Sequence, residues 1–348
     1  MKKLISTSLA VLMLLGLLAG CGGGGGTSAS PSSNPSASPS GSTAPDASGG
    51  GERVLQVALV VSDSVESIYN RCMLLSLQRL QETGEPFEFK YIENVTTDNA
   101  ESVMRTYAEA GYDIILAHAG VCRDATIKIH GDYPNVVFLG GGNDWETPAP
   151  NIGAYDQAIH EGCYVQGVIA GLMTQSNVVG FVAAMPTANI TSEANAFERG
   201  VKSVNPDCQV LVSYMESWYD PVKAKECTNS QISMGADIVF GERDGVIQAC
   251  QEAGIYAMAE KLDQSDIAPD TVIAQSVVRW DNTLKEVFDL VREGKFENRY
   301  YTNYEGSMAA GVCEVLINED VVPADVVERA HTEEQQIISG ERSIPFEP

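Results

Sequence analysis

From residue 52 onward the chain alternates between short apolar runs and longer stretches whose apolar residues recur at helical spacing. The first run, 55–61 (LQVALVV), is almost unbroken, as expected of a strand buried on both faces. Val65, Ile68, Tyr69, Cys72 and Leu75 then recur as one face of a helix, with Ser62-Asp63-Ser64 placed to cap its start. A second strand is predicted over 87–92. Thr97-Asp98 opens another helix, in which Glu101 would complete a capping box, and Gly111 ends it where a positive φ costs little. Further strands are predicted over 112–116, 136–139 and 152–155.

The stretch 151–184 is the pivot: a strand, a helix rich in small residues, a short polar turn and a second apolar strand. Beyond it the first pattern recurs, with strands predicted over 178–183, 209–214, 238–240, 255–259 and 272–276, and helices over 193–203 and 221–233. Gly111-Tyr112-Asp113-Ile114-Ile115 and Gly235-Ala236-Asp237-Ile238-Val239 match closely, each a helix-ending glycine followed at once by a buried strand. Residues 282–293 are amphipathic, with Leu284, Val287, Phe288 and Val291 on one face, and would return the chain to the first half. The acidic tail after Gly306 would cross once more. The fold class is therefore α/β: two Rossmann-like lobes with parallel sheets, joined by crossover segments. The expected lobes are 52–157 plus 278–305, and 158–277 plus 306–348.

The N-terminus reads differently. Residues 1–20 carry Lys2 and Lys3, a short apolar core and small residues before Cys21, the pattern of a secretory signal peptide too short to span a membrane. Small residues directly before a cysteine resemble the bacterial lipobox, which implies lipidation at Cys21. Residues 21–51 are almost all Gly, Ser, Pro, Ala and Thr; such a segment buries nothing and is expected to be a disordered tether spanning about 30 Å. A lipidated cysteine on a tether would hold the body at the extracytoplasmic face of a cell membrane.

Charge and cysteines narrow the chemistry. A formal net charge of −25 argues against nucleic acid as a partner. Besides Cys21 there are cysteines at 72, 122, 163, 208, 227, 250 and 313, none in a metal-ligand spacing, so no zinc or other metal is expected and any disulfide pairing stays open. No nucleophile elbow, zinc-protease motif or phosphate loop is present, and Gly140-Gly141-Gly142 lacks the helix pattern that a dinucleotide site needs. The expected function is binding, without enzyme activity or cofactor. In open α/β sheets ligands lie beyond the carboxyl ends of the strands. The candidate positions are accordingly Ser62-Asp63 with Tyr69-Asn70, 118–123, 143–145, 185–187, 216–220, 242–245, 260–264 and Arg279-Trp280.

Several motifs carry a family resemblance: Gly162, Gly167, Ala170 and Gly171 followed by Val179-Gly180-Phe181-Val182, then Phe197 with Gly200, Trp218-Tyr219-Asp220, Gly235-Ala236-Asp237 and Asp263-Gln264. In this order they resemble the basic membrane protein (PnrA-like) family, substrate-binding lipoproteins of ABC importers, over residue 54 to about 322. The resemblance implies a type I periplasmic-binding-protein fold, a purine-type ligand (free base or nucleoside) in the interlobe cleft, and a membrane permease as partner. By position it places Tyr69 and Asn70 where the family has an aromatic and an asparagine at the base, Trp218 near a second aromatic that would complete a sandwich, and Asp244 with Gly245 in a turn approaching the ligand. Arg279 stands where many members have a lysine. Trp145, in an acidic loop after a strand, is a further candidate. Where nucleoside binders carry Val-Asp-x-Asp-Gln, this chain has Glu260-Lys261-Leu262-Asp263-Gln264, so Lys261 replaces a ribose-binding aspartate. With Arg279 nearby, that exchange points to a free base, an oxidised purine or another planar solute, which can be anionic.

Each candidate has an ordinary counterpart. Tyr69 could pack on its own helix face, Trp145 could plug a hinge, and Lys261 and Arg279 could form surface ion pairs of little energetic weight. His118 and His160 read as structural histidines, and Asp63 as a cap. A second reading of the whole chain is a ligand-sensing subunit for a signalling system, with the same fold.

Overall fold

The computed structural model describes residues 53–142, 145, 148–218, 220–241, 245–301 and 307–348. The leader 1–20, Cys21 with the tether 21–51, and Asp244 lie outside the described residues.

Five parallel strands form the first sheet, in the order β2-β1-β3-β4-β5. These are β1 (Leu55–Val60), β2 (Phe87–Ile92), β3 (Ile114–Ala117), β4 (Val137–Gly141) and β5 (Ile152–Tyr155). The near-continuous apolar run of β1 has a direct cause. Leu55, Val57 and Leu59 enter one core, while Ala58 and Val60 enter a second core on the opposite face. Alternate residues of a central strand must each find a dry neighbour, so neither parity can be polar. Helices α1 (Ile68–Glu82), α2 (Ala100–Glu109) and α3 (Arg123–Ile129) connect these strands.

Six strands form the second sheet, in the order β11-β10-β9-β8-β6-β7. They are β6 (Val178–Ala183), β7 (Gln209–Tyr214), β8 (Ile238–Gly241), β9 (Tyr256–Lys261), β10 (Val272–Val278) and β11 (Cys313–Ile317). All pair in parallel except β11, which runs antiparallel to β10. The intervening helices are α5 (Ala188–Val204), α6 (Pro221–Ser233) and α7 (Val246–Ala253). Asp220 caps α6 by accepting from the Lys223 backbone N–H at 3.0 Å, and Pro221 opens it where no donor is needed.

After β5 the chain enters α4 (His160–Met173), buried from His160 through Gly171 and packed on β10 and β11 of the second sheet. It lies so close to α5 that a Cβ on Gly167 would stand 2.1 Å from the Phe197 carbonyl oxygen, and one on Gly200 2.0 Å from that of Tyr164. The small residues of the pivot are therefore the condition for backbone-to-backbone packing. After β10, α8 (Asp281–Arg292) packs on α1. Arg79 holds Asp281 with two hydrogen bonds of 2.8 Å, and Phe288 meets Phe87 at 4.9 Å between ring centroids. The last helix, α9 (Ala324–Ile338), lies against α4.

Three local expectations are corrected. Asp98 and Glu101 form no capping box: α2 starts at Ala100, and Glu101 pairs with Arg105 and Lys128 instead. Ser62-Asp63-Ser64 does not cap α1, which begins at Ile68 after Ser67 with no side-chain cap. The loop is held by Asn70, whose amide donates to the Ser64 carbonyl at 3.1 Å, and by Glu93, which accepts from the Val65 N–H at 2.7 Å. Finally, α5 starts at Ala188 rather than at 193, because Ile190 already extends its apolar face.

Candidate functional site

Beyond the carboxyl ends of β1, β3 and β5, four rings form one cluster. His118, the residue after β3, stacks on Tyr69 in the first turn of α1, with centroids 4.2 Å apart and planes 7° apart. On its other side it lies parallel to Tyr155 at the end of β5, at 5.7 Å and 9°. Trp280, between β10 and α8, meets all three edge-on at 5.2–5.7 Å. Offset stacks and edge-to-face contacts are the arrangements that the ring quadrupole favours.

Polar contacts fix every member. His118 Nε2 lies 3.3 Å from the Tyr69 carbonyl oxygen, which can only accept, so this nitrogen carries the hydrogen and Nδ1 accepts from the Tyr155 hydroxyl. Trp280 donates its indole N–H to the Asp156 carbonyl at 3.1 Å, and its backbone N–H to the Ser76 hydroxyl at 3.0 Å. Gly141, at the end of β4, leaves room for this group: a Cβ there would stand 3.0 Å from the Tyr69 hydroxyl and 3.1 Å from that of Tyr155. Burial pushes the His118 imidazole down to about 3, and pushes the Tyr69 and Tyr155 phenols well above their ordinary value. At neutral pH the cluster is uncharged; His118, Tyr155 and Trp280 are buried within it, and Tyr69 alone is partly exposed.

Side chains of the second half approach it. Asn189, in the first turn of α5, donates to the Asp156 carboxylate at 3.1 Å. Cys72, one helical turn beyond Tyr69, donates its thiol to the Lys261 carbonyl at 3.1 Å. Lys261 ends β9 with φ of 71°, is only 1% exposed, and forms an ion pair with Glu260, also 1% exposed.

The sequence-predicted positions separate on this geometry. Tyr69 and Lys261 are brought near one another through Cys72. Asn70 is buried beside Tyr69 and closes the β1–α1 loop. Trp145 packs over Gly140 in the core on the far face of the first sheet, with its indole N–H on the Gly141 carbonyl at 3.1 Å. There it lines a cavity of about 270 Å³ with Pro148, Asn298 and Arg299. Trp218 is 60% exposed and stacks on no ring among the described residues. His118 occupies one face of Tyr69. Arg279 is paired with Glu314 across the β10–β11 edge. Carboxylates accompany both Lys261 and Arg279.

Tyr155 and Asp156 were not marked in the sequence, although they directly follow β5 and so satisfy the strand-end rule applied elsewhere. His160 is structural, its Nε2 lying 3.1 Å from the Ile344 carbonyl. The cysteines at 72, 122, 163, 208, 227, 250 and 313 are all free thiols; burial pushes Cys72, Cys122 and Cys250 up to about 12, where they are unreactive. Among the described residues no group of His, Cys, Asp and Glu could hold a metal ion, and no helix is long and apolar enough to cross a membrane.

Comparison with known proteins places this geometry. The family described as ABC transporter substrate-binding protein, PnrA-like, matches residues 54–347. A purine-binding protein of Brucella abortus is 31% identical over 266 residues, covering 76% of this chain and 74% of that one. A putative ABC transporter glucose-binding protein of Haloferax volcanii is 27% identical over 271 residues, covering 77% and 68%. Among solved structures, a solute-binding protein of an ABC transporter from Conexibacter woesei superposes with a TM-score of 0.73 at 21% identity, over 85% of this chain and all of that one. The fold is that of the periplasmic binding proteins. Members of the matched family work outside the cytoplasm, where they bind a small molecule for a membrane permease, and they are not a class of enzymes. This chain belongs to the PnrA-like family of ABC transporter substrate-binding proteins.

Proposed function

We propose that the protein is a lipid-anchored receptor for a purine-type ligand, free base or nucleoside, bound in the cleft between its two lobes and presented to an ABC permease. The observation that carries this reading is the neutral ring cluster of Tyr69, His118, Tyr155 and Trp280 at the strand ends. Flat, uncharged faces suit a planar heterocycle, and a few buried polar groups then set its orientation. The name of the Brucella relative supports the same ligand class. The ion pair of Lys261 with Glu260, where nucleoside binders have a ribose-binding aspartate, favours a free base. Ligand contacts with both lobes would favour the closed state by their differential affinity. Cys21 would hold this receptor at the membrane on its 21–51 tether.

The test is a calorimetric titration of the protein purified from membranes, with purine bases and nucleosides, for the wild type and Tyr69→Ala. Losing one stacking face weakens binding by about 1–3 kcal/mol, or roughly tenfold to a hundredfold. Equal affinities would remove Tyr69 from the site. Mass spectrometry of the same preparation is expected to find a diacylated Cys21 at the N-terminus; an unmodified Cys21 would overturn the anchor.

A further inference from the structure

We propose that Glu260 selects the ligand, its carboxylate accepting the ring N–H and the neighbouring amino group of guanine so that guanine is taken in preference to adenine. The proposal rests on the purine reading of the cleft and adds to it the edge by which the ring is read.

Glu260 is the penultimate residue of β9 and is 1% exposed. Its carboxylate meets the Lys261 ammonium, and among the described residues no other donor reaches either oxygen. The Lys261 ammonium supplies charge beside it, but an ion pair alone leaves most of the acceptor sites of a carboxylate unused. Burying such a group without donors is costly, so its retention calls for an explanation. Ser276 stands opposite Glu260 in the β9–β10 register and takes the amide N–H of Gln166 at 2.8 Å. The Gln166 Oε1, also buried, receives no hydrogen bond among the described residues.

The backbone is strained at this place. In a regular strand the side chains of Glu260 and Lys261 would point to opposite faces. The left-handed φ of 71° at Lys261 turns the chain so that the two meet. Strain of this kind in a non-glycine residue persists only where its surroundings hold it, and it gathers at ligand sites. Two contacts tie the turn to the ring cluster. Cys72 on α1, beside Tyr69, holds the Lys261 carbonyl. Val277 pairs with Lys261, and Trp280 three residues later closes the cluster.

The chemistry of the edge follows. A carboxylate aligned with two N–H donors, such as the ring N–H and exocyclic amino group of guanine, forms a charge-assisted bidentate pair. Hypoxanthine and xanthine keep the ring N–H. Adenine presents one amino donor beside a bare ring nitrogen, whose lone pair would face a carboxylate oxygen.

The experiment titrates guanine and adenine into the wild type, Glu260→Gln, and the double variant Glu260→Gln with Lys261→Met, with melting curves confirming that each is folded. The wild type is expected to favour guanine by roughly tenfold or more. Glu260→Gln offers one acceptor and one donor, as the adenine edge requires, and should move the ratio toward adenine by a similar factor. The double variant removes the ammonium left without its carboxylate, and gives the same ratio if the single variant does not fold. A wild type that favours adenine, or a ratio that folded variants leave unchanged, overturns the proposal while the purine reading stands. A wild type that binds no purine of any kind overturns both.

Discussion

The imidazole of His118 is sealed between two phenol rings, so its protonation would bury a charge away from solvent. Burial holds it neutral in the folded chain down to about pH 3, against 6.5 for an exposed imidazole. Between those values the unfolded chain binds a proton that the folded chain does not, so acid favours unfolding. The stability that depends on a neutral His118 is fully present above about pH 6.5 and falls away toward pH 3. From pH 7 to pH 5 the loss from this one group is about 2 kcal/mol. Urea denaturation at the two pH values should show a loss that much smaller in His118→Gln than in the wild type. Equal losses would mean that the imidazole is not held neutral. Tyr69 and Trp280 were legible as strand-end residues because a position rule found them. His118 was found by the same rule, within 118–123, but its stacking on Tyr69 and Tyr155 was not legible, since ring contacts join β3, β5 and the segment after β10, which lie far apart in the chain. Trp145 shows the same limit: the absent side chain of Gly140 decides where its indole packs, and nothing near Trp145 in sequence says so.

At the scale of elements, the strands were readable because burial on both faces forces apolar runs, as in β1 and β10. Helix α6 was readable to the residue because Asp220 and Pro221 mark its start chemically. Where polar residues had other partners the reading slipped: Glu101 bonds Arg105 and Lys128 rather than its own helix start. The α4–α5 pair makes the strongest demand on sequence. Gly167→Ala should lose about 1–3 kcal/mol, since the added methyl meets backbone that cannot move aside and the gain in helix propensity is smaller. Gly131→Ala, with nothing within 4 Å of the added carbon, serves as the control. Denaturant midpoints that match for the two variants would show that the helices are not in backbone contact.

For the whole molecule, two sheets bring their strand ends toward one another, and the groups that meet there are flat, neutral rings from one side and a buried Glu260–Lys261 pair from the other. The Cys72 thiol on Lys261 and the Asn189 amide on Asp156 join the two sides. On the proposed reading these surfaces would take a planar face and N–H donors, rather than the ring of hydroxyls that a sugar presents. The Haloferax relative, named as a putative glucose-binding protein, makes sugars the proper contrast. The most direct measurement is therefore the melting temperature of the purified protein with purine bases, nucleosides, sugars and amino acids in turn. A purine-type ligand at 100 times its dissociation constant should stabilise the fold by about 2.7 kcal/mol, a shift of several degrees, while sugars and amino acids leave the transition in place. A shift with glucose or an amino acid and none with any purine would contradict the account.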